Sequence, residues 1–477
     1  MKYLLILPGV LVLLVLIAVV RTLVSPRKTS NYQPPQTDEA EALRLAGKLS
    51  KMIQVDTTSH AGGDDPARFR AFHKTLAELF PRVFSQLEKT EIDGNLLFYW
   101  KGRSREKPIL LMSHQDVVPA EGAWSHAPFS GDIADGKVWG RGASDTKCSV
   151  MAFFEAAEQL LAEGYTPPTD VYLASSCTEE WAGDGAPKLV AELQRRGVEL
   201  FLVCDEGGAI ISEPIGGIPG NFAMVGVFEK GKADVKFTAK STGGHASAPG
   251  RHTPIARLAA FVTEVETHSP FKKKLLPEVA AMFRTLAPYA SSFGLRLLLG
   301  NLWLFAPLLK LVLPAVSAQA GAMLRTTIAF TTQSGSDAYN VIPQEATLGA
   351  NMRFIPHQGE QESLAIIQTL AEKHGLSTEV LHANDFTPPV DIHGEAFTLV
   401  TRVIGETFPG LAASPYVMTG ATDAQFYQPI CKSCIRFAPV IYGPEQMRGM
   451  HGLNENIEYR CLPGAVRFYQ NLIRAEK

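Results

Sequence analysis

Four short segments set acidic or imidazole side chains directly after apolar runs or in the loops that follow them. They are "SHQD" with His114 and Asp116, "GRGASDTK" with Asp145, "SCTEEWAG" with Glu179 and Glu180, and "VCDEGG" with Asp205. A fifth, "GMHGLNENI", brings His451 from far downstream. A buried strand end has no use for charged groups unless something holds them. Carboxylates crowded around two imidazoles repel one another unless a cation neutralises them. Histidine with Asp and Glu oxygens suits Zn²⁺, with Mn²⁺ or Co²⁺ as substitutes. More than four candidate ligands points to two metals roughly 3.5–4 Å apart, bridged by one carboxylate. Each segment alone has a plain reading: a strand-end histidine, a turn, a helix cap. The combination in this order is what carries the chemistry.

The elements that must position these residues are legible around them. From about 38 to 225 the chain alternates helical and apolar strand patterns. "DEAEALRLAGKLSKMIQV" and "ARFRAFHKTLAELFPRVF" have helical spacing. "NLLFYWKG", "PILLMSHQD", "DVYLASSCTEE" and "LFLVCDEGG" read as short buried strands, and "CSVMAFFEAAEQLLAEG" as a helix closing on Gly164. Alternating strands and helices predict a layered α/β catalytic domain, with helices flanking a mixed sheet. In an open α/β sheet, ligands gather outside the carboxyl ends of the strands, so three of the four acidic segments can converge. The glycine-punctuated "VWGRGASD" lets Asp145 fold back toward them.

From about 228 to 384 the pattern becomes strand–helix–strand–strand–helix–strand, which predicts an inserted ferredoxin-like α+β lid domain. The expected division is 1–25 as a membrane anchor or signal and 26–38 as a tether. Residues 39–227 and 385–477 form the two parts of the catalytic domain, with 228–384 as the lid. The stretch "FGLRLLLGNLWLFAPLLKLVLP", 293–314, is broken by Arg296, Asn301, Pro307, Lys310 and Pro314. It reads as an apolar helical insertion in the small domain rather than a second span.

At 477 residues the chain exceeds one ordinary core, and 46% hydrophobic with 19% charged residues is a globular composition. A net charge of −3 shows no basic excess, which argues against nucleic-acid binding. "YLLILPGVLVLLVLIAVV", residues 3–20, carries no charge and approaches the length of a bilayer crossing. No clear cleavage site follows it, which favours a retained anchor over a removed signal. Six cysteines are scattered; Cys431 and Cys434 form one CxxC, too little for a zinc site but open to a disulfide.

With "NLWLFAPLL", "LRTTIAF", "YNVIPQEA", "NMRFIPHQG" and "MHGLNENI" beside the acidic segments, the chain resembles the di-zinc aminoacylase/carboxypeptidase family over roughly residues 40–475. Its likeness is to the branch of carboxypeptidase S and the N-fatty-acyl-amino-acid synthase/hydrolases. That resemblance implies two Zn²⁺, with His114 and Asp205 on one, Glu180 and His451 on the other, and Asp145 bridging. Asp116 would hydrogen-bond the second nitrogen of His114, and Glu179 would be the general base. His245 of "STGGHAS" would serve the oxyanion, in dimeric relatives from the other subunit. Asn340, Arg353, Gly420 and Thr422 would touch substrate. Relatives often carry a second Asp after the bridging one; here Thr146 stands there.

The expected activity is zinc-dependent hydrolysis, or its reverse, of the amide bond in N-acyl amino acids; the resemblance favours N-fatty-acyl substrates, whose chain would fit the apolar insertion, although that insertion reads equally as filling the small domain's core. Its alternatives are a carboxypeptidase or dipeptidase acting on short peptides and, in another class, a non-catalytic membrane-tethered binding module. The expected partners are a small-molecule substrate, a membrane through the N-terminal segment, and a second copy in a homodimer. The catalytic domain is expected outside the cytoplasm.

Overall fold

The computed structural model describes residues 2–30, 32, 38–62 and 66–476. Six of the tether residues, 31 and 33–37, lie outside the described ones. The principal sheet has eight strands in the order Glu88–Ile92, Asn95–Trp100, Thr169–Ser175, Ser104–Met112, Leu202–Ser212, Cys434–Tyr442, Asn221–Glu229 and Ala412–Met418. It is mixed: Ser104–Met112 runs parallel to both Thr169–Ser175 and Leu202–Ser212, and Asn95–Trp100 pairs antiparallel. Helices cover both faces, which is why the strands read as unbroken apolar runs. Ile109 and Leu111 enter one core with Phe153, Leu160 and Leu472. Leu110 and Met112 enter the other, with Leu189 and Leu193 of the helix Gly185–Arg195. The alternation of side chains along a strand sends neighbours to opposite layers.

A second, four-stranded antiparallel sheet has the order Thr327–Ser334, Glu345–Phe354, Gly231–Lys240 and Ser377–Asn384. Its helices Pro254–Thr267 and Glu360–Lys373 supply Leu258, Phe261 and Ile367 to a core shared with Val235, Phe237 and Met352. Chain order and sheet order together are those of a split βαβ module.

Two expectations change, and the open question of the cysteines closes. The insertion is two helices, Phe293–Gly300 and Leu302–Ala315, bent by 109° at Asn301. It does not fill the smaller sheet's core: Leu299, Leu302 and Leu309 join the core of the principal sheet through Met282, Phe283 and Leu286. Burying those leucines against the larger layer removes their apolar surface from water. All six cysteines are buried, and Cys431 and Cys434 form no disulfide with one another. Finally, the pattern "ARFRAFHKTLAELFPRVF" is two helices, Pro66–Leu79 and Pro81–Gln86, because Pro81 cannot continue the first.

The N-terminal segment is one helix, Lys2–Val24, packed against the two insertion helices. Among the described residues no single helix is long and apolar enough to cross a membrane; the bent pair passes by length and composition together.

Candidate metal centre

The parallel strands Ser104–Met112 and Thr169–Ser175 end side by side, so the residues after them share one rim. His114 follows the first by two positions and is 2% exposed. Glu179 and Glu180 follow the second in the single 3-10 turn Glu179–Trp181. Asp145 sits in the turn that opens the helix Lys147–Ala162. His451 reaches it because Asn456–Glu458 pairs antiparallel with Lys137–Trp139, pinning the C-terminal segment beside the Asp145 loop. Gly142 in that loop has φ +88°, and a Cβ there would lie 2.9 Å from Val117 Cγ1. The loop therefore requires glycine at that position.

Asp145 lies between the two imidazoles. Its Oδ1 is 3.2 Å from His114 Nε2 and its Oδ2 is 3.1 Å from His451 Nε2. His451 Nε2 is also 3.1 Å from Glu180 Oε2. His114, Asp145 and Glu180 each offer a ligand atom, all within 4.8 Å of one another. Burial pushes the Asp145 carboxyl up, but the hydrogen bonds to His114 and His451 outweigh it and hold the group well below its usual value. The same bonds, with Glu180, raise His451 to about 10. His114 is pulled down by burial yet ends well above its ordinary value, because Asp116 and Asp145 accept from it. In the absence of metal, protons on the imidazoles neutralise the carboxylates. A divalent cation would take their place, and the donor set of imidazole and carboxylate fits one.

Asp116 does more than the one task expected of it. His114 Nδ1 lies 2.9 Å from the main-chain oxygen of Asp116 and 3.5 Å from its carboxylate. The carboxylate also accepts from the main-chain N–H of Glu179 and Glu180, at 3.2 and 3.1 Å, and from Ser59 Oγ at 2.7 Å. It thereby holds the turn that carries both glutamates. Glu179 lies 3.9 Å from His114 Nε2. Burial pushes its carboxyl well above the ordinary value, with His114 opposing and Asp423 reinforcing the shift.

Asp205 is not part of the hydrogen-bonded cluster. Its oxygens accept from the main-chain N–H of Glu206 at 2.8 Å and of Ala424 at 2.9 Å. Burial raises it to about 6. Its neighbour Glu206 feels Asp145, His114 and Glu180, and burial with the charges of Asp145 and Asp205 raises it well above its usual value. Both adjacent acids are thus raised by burial at this end of the strand.

The expected substrate residues lie elsewhere. His245 is exposed, its Nδ1 2.7 Å from Ser247 Oγ, on a two-residue ladder opposite Val341. Asn340 adjoins it, accepting from Ala246 N–H at 3.0 Å. Arg353 is half-buried on the smaller sheet and donates to Asn351 Oδ1 at 3.0 Å. Among the described residues, none of the three bonds to the cluster. Thr422 is buried and its hydroxyl donates to Glu229, which is ion-paired with Arg436 at 2.7 Å; Gly420 is exposed nearby. The hydroxyl of Thr422 is thus committed to the scaffold.

Comparison with known proteins bears on the same stretch. A family profile described as peptidase family M20/M25/M40 matches residues 110–475. The chain belongs to that family. It is 33% identical over 484 residues to the N-fatty-acyl-amino acid synthase/hydrolase PM20D1 of Xenopus tropicalis, covering 97% of this chain and 93% of that protein. It is 31% identical to the probable carboxypeptidase S-like 2 of Dictyostelium discoideum, covering 98% and 92%. Among solved structures it is similar to the M20 metallo-carboxypeptidase Sso-CP2 of Sulfolobus solfataricus, with a TM-score of 0.67 at 17% identity, covering 92% of this chain and 99% of that one. It is an M20 metallopeptidase-family hydrolase with the family's α/β fold. A Bacillus subtilis member of similar fold, at TM-score 0.56 and 13% identity, is a dinuclear metal-binding peptidase and covers 91% of this chain and 97% of its own.

Two residues of this M20 chain escaped the sequence reading. Glu455 is fully buried and accepts from Arg141 Nη1 at 2.7 Å and from the main-chain N–H of Ser144 and Asp145, each at 2.9 Å. Its place in "HGLNENI", four residues after His451, was the one available signal. Asp423 is buried, bonded to Ser176 Oγ, and raised to about 7 by burial. Nothing in "TGATDAQF" distinguishes it from a turn.

Proposed function

We propose that the chain hydrolyses the amide bond of N-acyl amino acids, with N-fatty-acyl chains as the favoured class, and runs the reverse condensation. The observation that carries this is the position of Glu179. Its raised carboxyl stands beside the His114–Asp145–Glu180 cluster, and the next residues open onto an apolar cavity. That cavity, of about 630 Å³, is lined by Phe69, Cys177, Trp181, Pro187 and Phe426, together with Lys188, which is paired with Asp93 at 2.7 Å and Asp184 at 2.9 Å. A long acyl chain suits such walls. The identity of 33% to a protein named an N-fatty-acyl-amino acid synthase/hydrolase supports the same reading.

His114, Asp145, Glu180 and His451 would hold two Zn²⁺, with Asp205 or Glu206 completing the second site. A bound divalent cation supplies a Lewis acid for the carbonyl and makes water acidic near neutral pH. Glu179 takes the proton from the attacking water and returns it to the leaving amine, a task its raised carboxyl suits. Asp116 fixes Glu179 for that transfer through the main-chain bond. His245 serves the oxyanion from a second copy of the chain, since its exposed ring meets no cluster residue within one copy. Asn340 adjoins His245 on that ladder, and Arg353 on the smaller sheet would grip the substrate's carboxylate. The exposed apolar side chains of the N-terminal helix support a membrane anchor, with the catalytic body outside the cytoplasm.

The second reading is a carboxypeptidase on short peptides, favoured by the identity of 31% to a carboxypeptidase S-like protein and by the polar rim of Asp93, Asp184 and His382. Turnover of an N-oleoyl amino acid against a panel of dipeptides, with zinc-loaded full chain, separates the two. Exclusive cleavage of dipeptides would overturn the acyl reading.

A further inference from the structure

Where the N-terminal helix ends, a second cavity of about 160 Å³ opens against the insertion. Three guanidinium groups line it: Arg21 in the last turn of the helix Lys2–Val24, Arg284 in the last turn of Pro277–Leu286, and Arg296 from Phe293–Gly300. Among the described residues no carboxylate lines it. Arg296 has a structural task as well, donating to the main-chain oxygens of Thr22 at 3.1 Å and Ser25 at 2.8 Å. Arg21 and Arg284 have no hydrogen-bond or ion-pair partner among the described residues. Positive charges so gathered, away from any acid, call for an anion, and a planar guanidinium fork matches phosphate oxygens.

The surroundings say which anion. The helix Lys2–Val24 is locked to the insertion by Asn301 Nδ2, which donates to Thr22 Oγ1 at 2.9 Å. On the outer side, Leu11, Leu13, Leu16 and Val20 are each more than half exposed. The insertion adds exposed Trp303, Leu308 and Leu311. Arg21 lies at the polar end of this apolar surface, and Arg27 and Lys28 follow it in the chain. The chain is then tied to the body, Lys28 N–H to Pro288 O at 2.9 Å and Ser30 Oγ to Asn221 O at 2.8 Å. An apolar surface ending in a basic rim is the pattern of a bilayer contact with anionic headgroups.

We infer that Arg21, Arg284 and Arg296 form a headgroup site for an anionic phospholipid, at the level where the N-terminal helix and the insertion enter a bilayer. The inference rests on the anchoring role proposed for that helix. It adds that the insertion enters with the helix and that the catalytic body is held against the membrane by a gripped phosphate.

The test uses the full chain and flotation with vesicles of phosphatidylcholine, with or without phosphatidylglycerol. The wild type should prefer the anionic vesicles. The double variant Arg21→Gln/Arg284→Gln should lose roughly thirtyfold in affinity for them, about fivefold per arginine, and keep its affinity for phosphatidylcholine. Arg21→Lys/Arg284→Lys should lose most of the preference too, because an ammonium cannot reproduce the fork. Brominated lipid should quench a tryptophan signal that Trp303→Phe removes. Full retention of preference by the Lys variant would reduce the site to diffuse attraction and overturn it. Equal wild-type binding to both vesicles would overturn the site while leaving the anchor standing. No vesicle binding at all would overturn both. Thermal stabilisation of the detergent-held chain by inorganic phosphate, without vesicle preference, would assign the cavity to a free anion and also overturn the lipid site.

Discussion

Replacing Glu455 by Gln probes how the metal centre is held together without touching any group proposed as a ligand. Glu455 is fully buried, and its carboxylate ties Arg141 to the loop carrying Asp145. Glutamine keeps the shape and one acceptor oxygen, so the bonds from Ser144 and Asp145 N–H can persist. Its amide, however, turns a donor toward Arg141, which is 3% exposed and loses its counter-charge. Removing one partner of a buried ion pair costs about 3–5 kcal/mol. Arg141 also donates to Gly452 O at 2.9 Å and lies 5.0 Å over the Trp124 ring, so the lower end applies. At about 2 °C per kcal/mol for a large domain, the unfolding midpoint should fall by roughly 6 °C. Because the loop carries Asp145, zinc affinity should fall about 10- to 100-fold, the usual effect of removing a group that orients a ligand. Scanning calorimetry at a fixed rate and competition with a chromophoric chelator measure the two. Arg141→Gln/Glu455→Gln should recover part of the midpoint, since removing both charges leaves no uncompensated ion. A variant that melts with the wild type and holds zinc equally well would refute the reasoning.

Glu179→Gln should lower kcat by about 10²–10⁴-fold with zinc content unchanged; surviving activity would reject the proton-transfer role. His451→Ala should lose at least one metal equivalent by elemental analysis, because its imidazole shares Asp145 and Glu180. Asp205→Asn and Glu206→Gln should each reduce metal content, since burial and neighbouring acids raise both carboxyls; unchanged metal content in one variant would remove that acid from the site. In the chelator-treated protein His451 is raised to about 10 from 6.5 by Asp145 and Glu180. Its contribution to stability is therefore full below pH 6.5 and lost as pH rises through 10. The midpoint of wild type should fall across that window more steeply than that of His451→Gln, and parallel curves would contradict the pairing.

The primary sequence by itself determined which segments are strands, because runs such as "PILLM" between two helical layers are apolar at every position. It also determined which residues follow those strands, so His114, Glu179 and Glu180 were legible as neighbours of one rim before any coordinates. The split βαβ order of the smaller sheet was legible for the same reason: its strands alternate with period two. What only the tertiary structure decided is which side each residue faces and what it meets. "DE" at 205–206 offers two acids, and only the packing brings the main-chain N–H of Ala424 to Asp205 and the charges of Asp145 and His114 to Glu206. Asp116 took on the glutamate turn beside His114, and Thr422 met Glu229, because partners distant in the chain arrived with unmet hydrogen bonds. Glu455 gained its role only when Asn456–Glu458 paired with Lys137–Trp139. The insertion left the smaller sheet for the larger one because burial rewards apolar area regardless of sequence distance. Periodicity is a local property of the chain; the partners of a buried polar group are set by contacts across hundreds of residues.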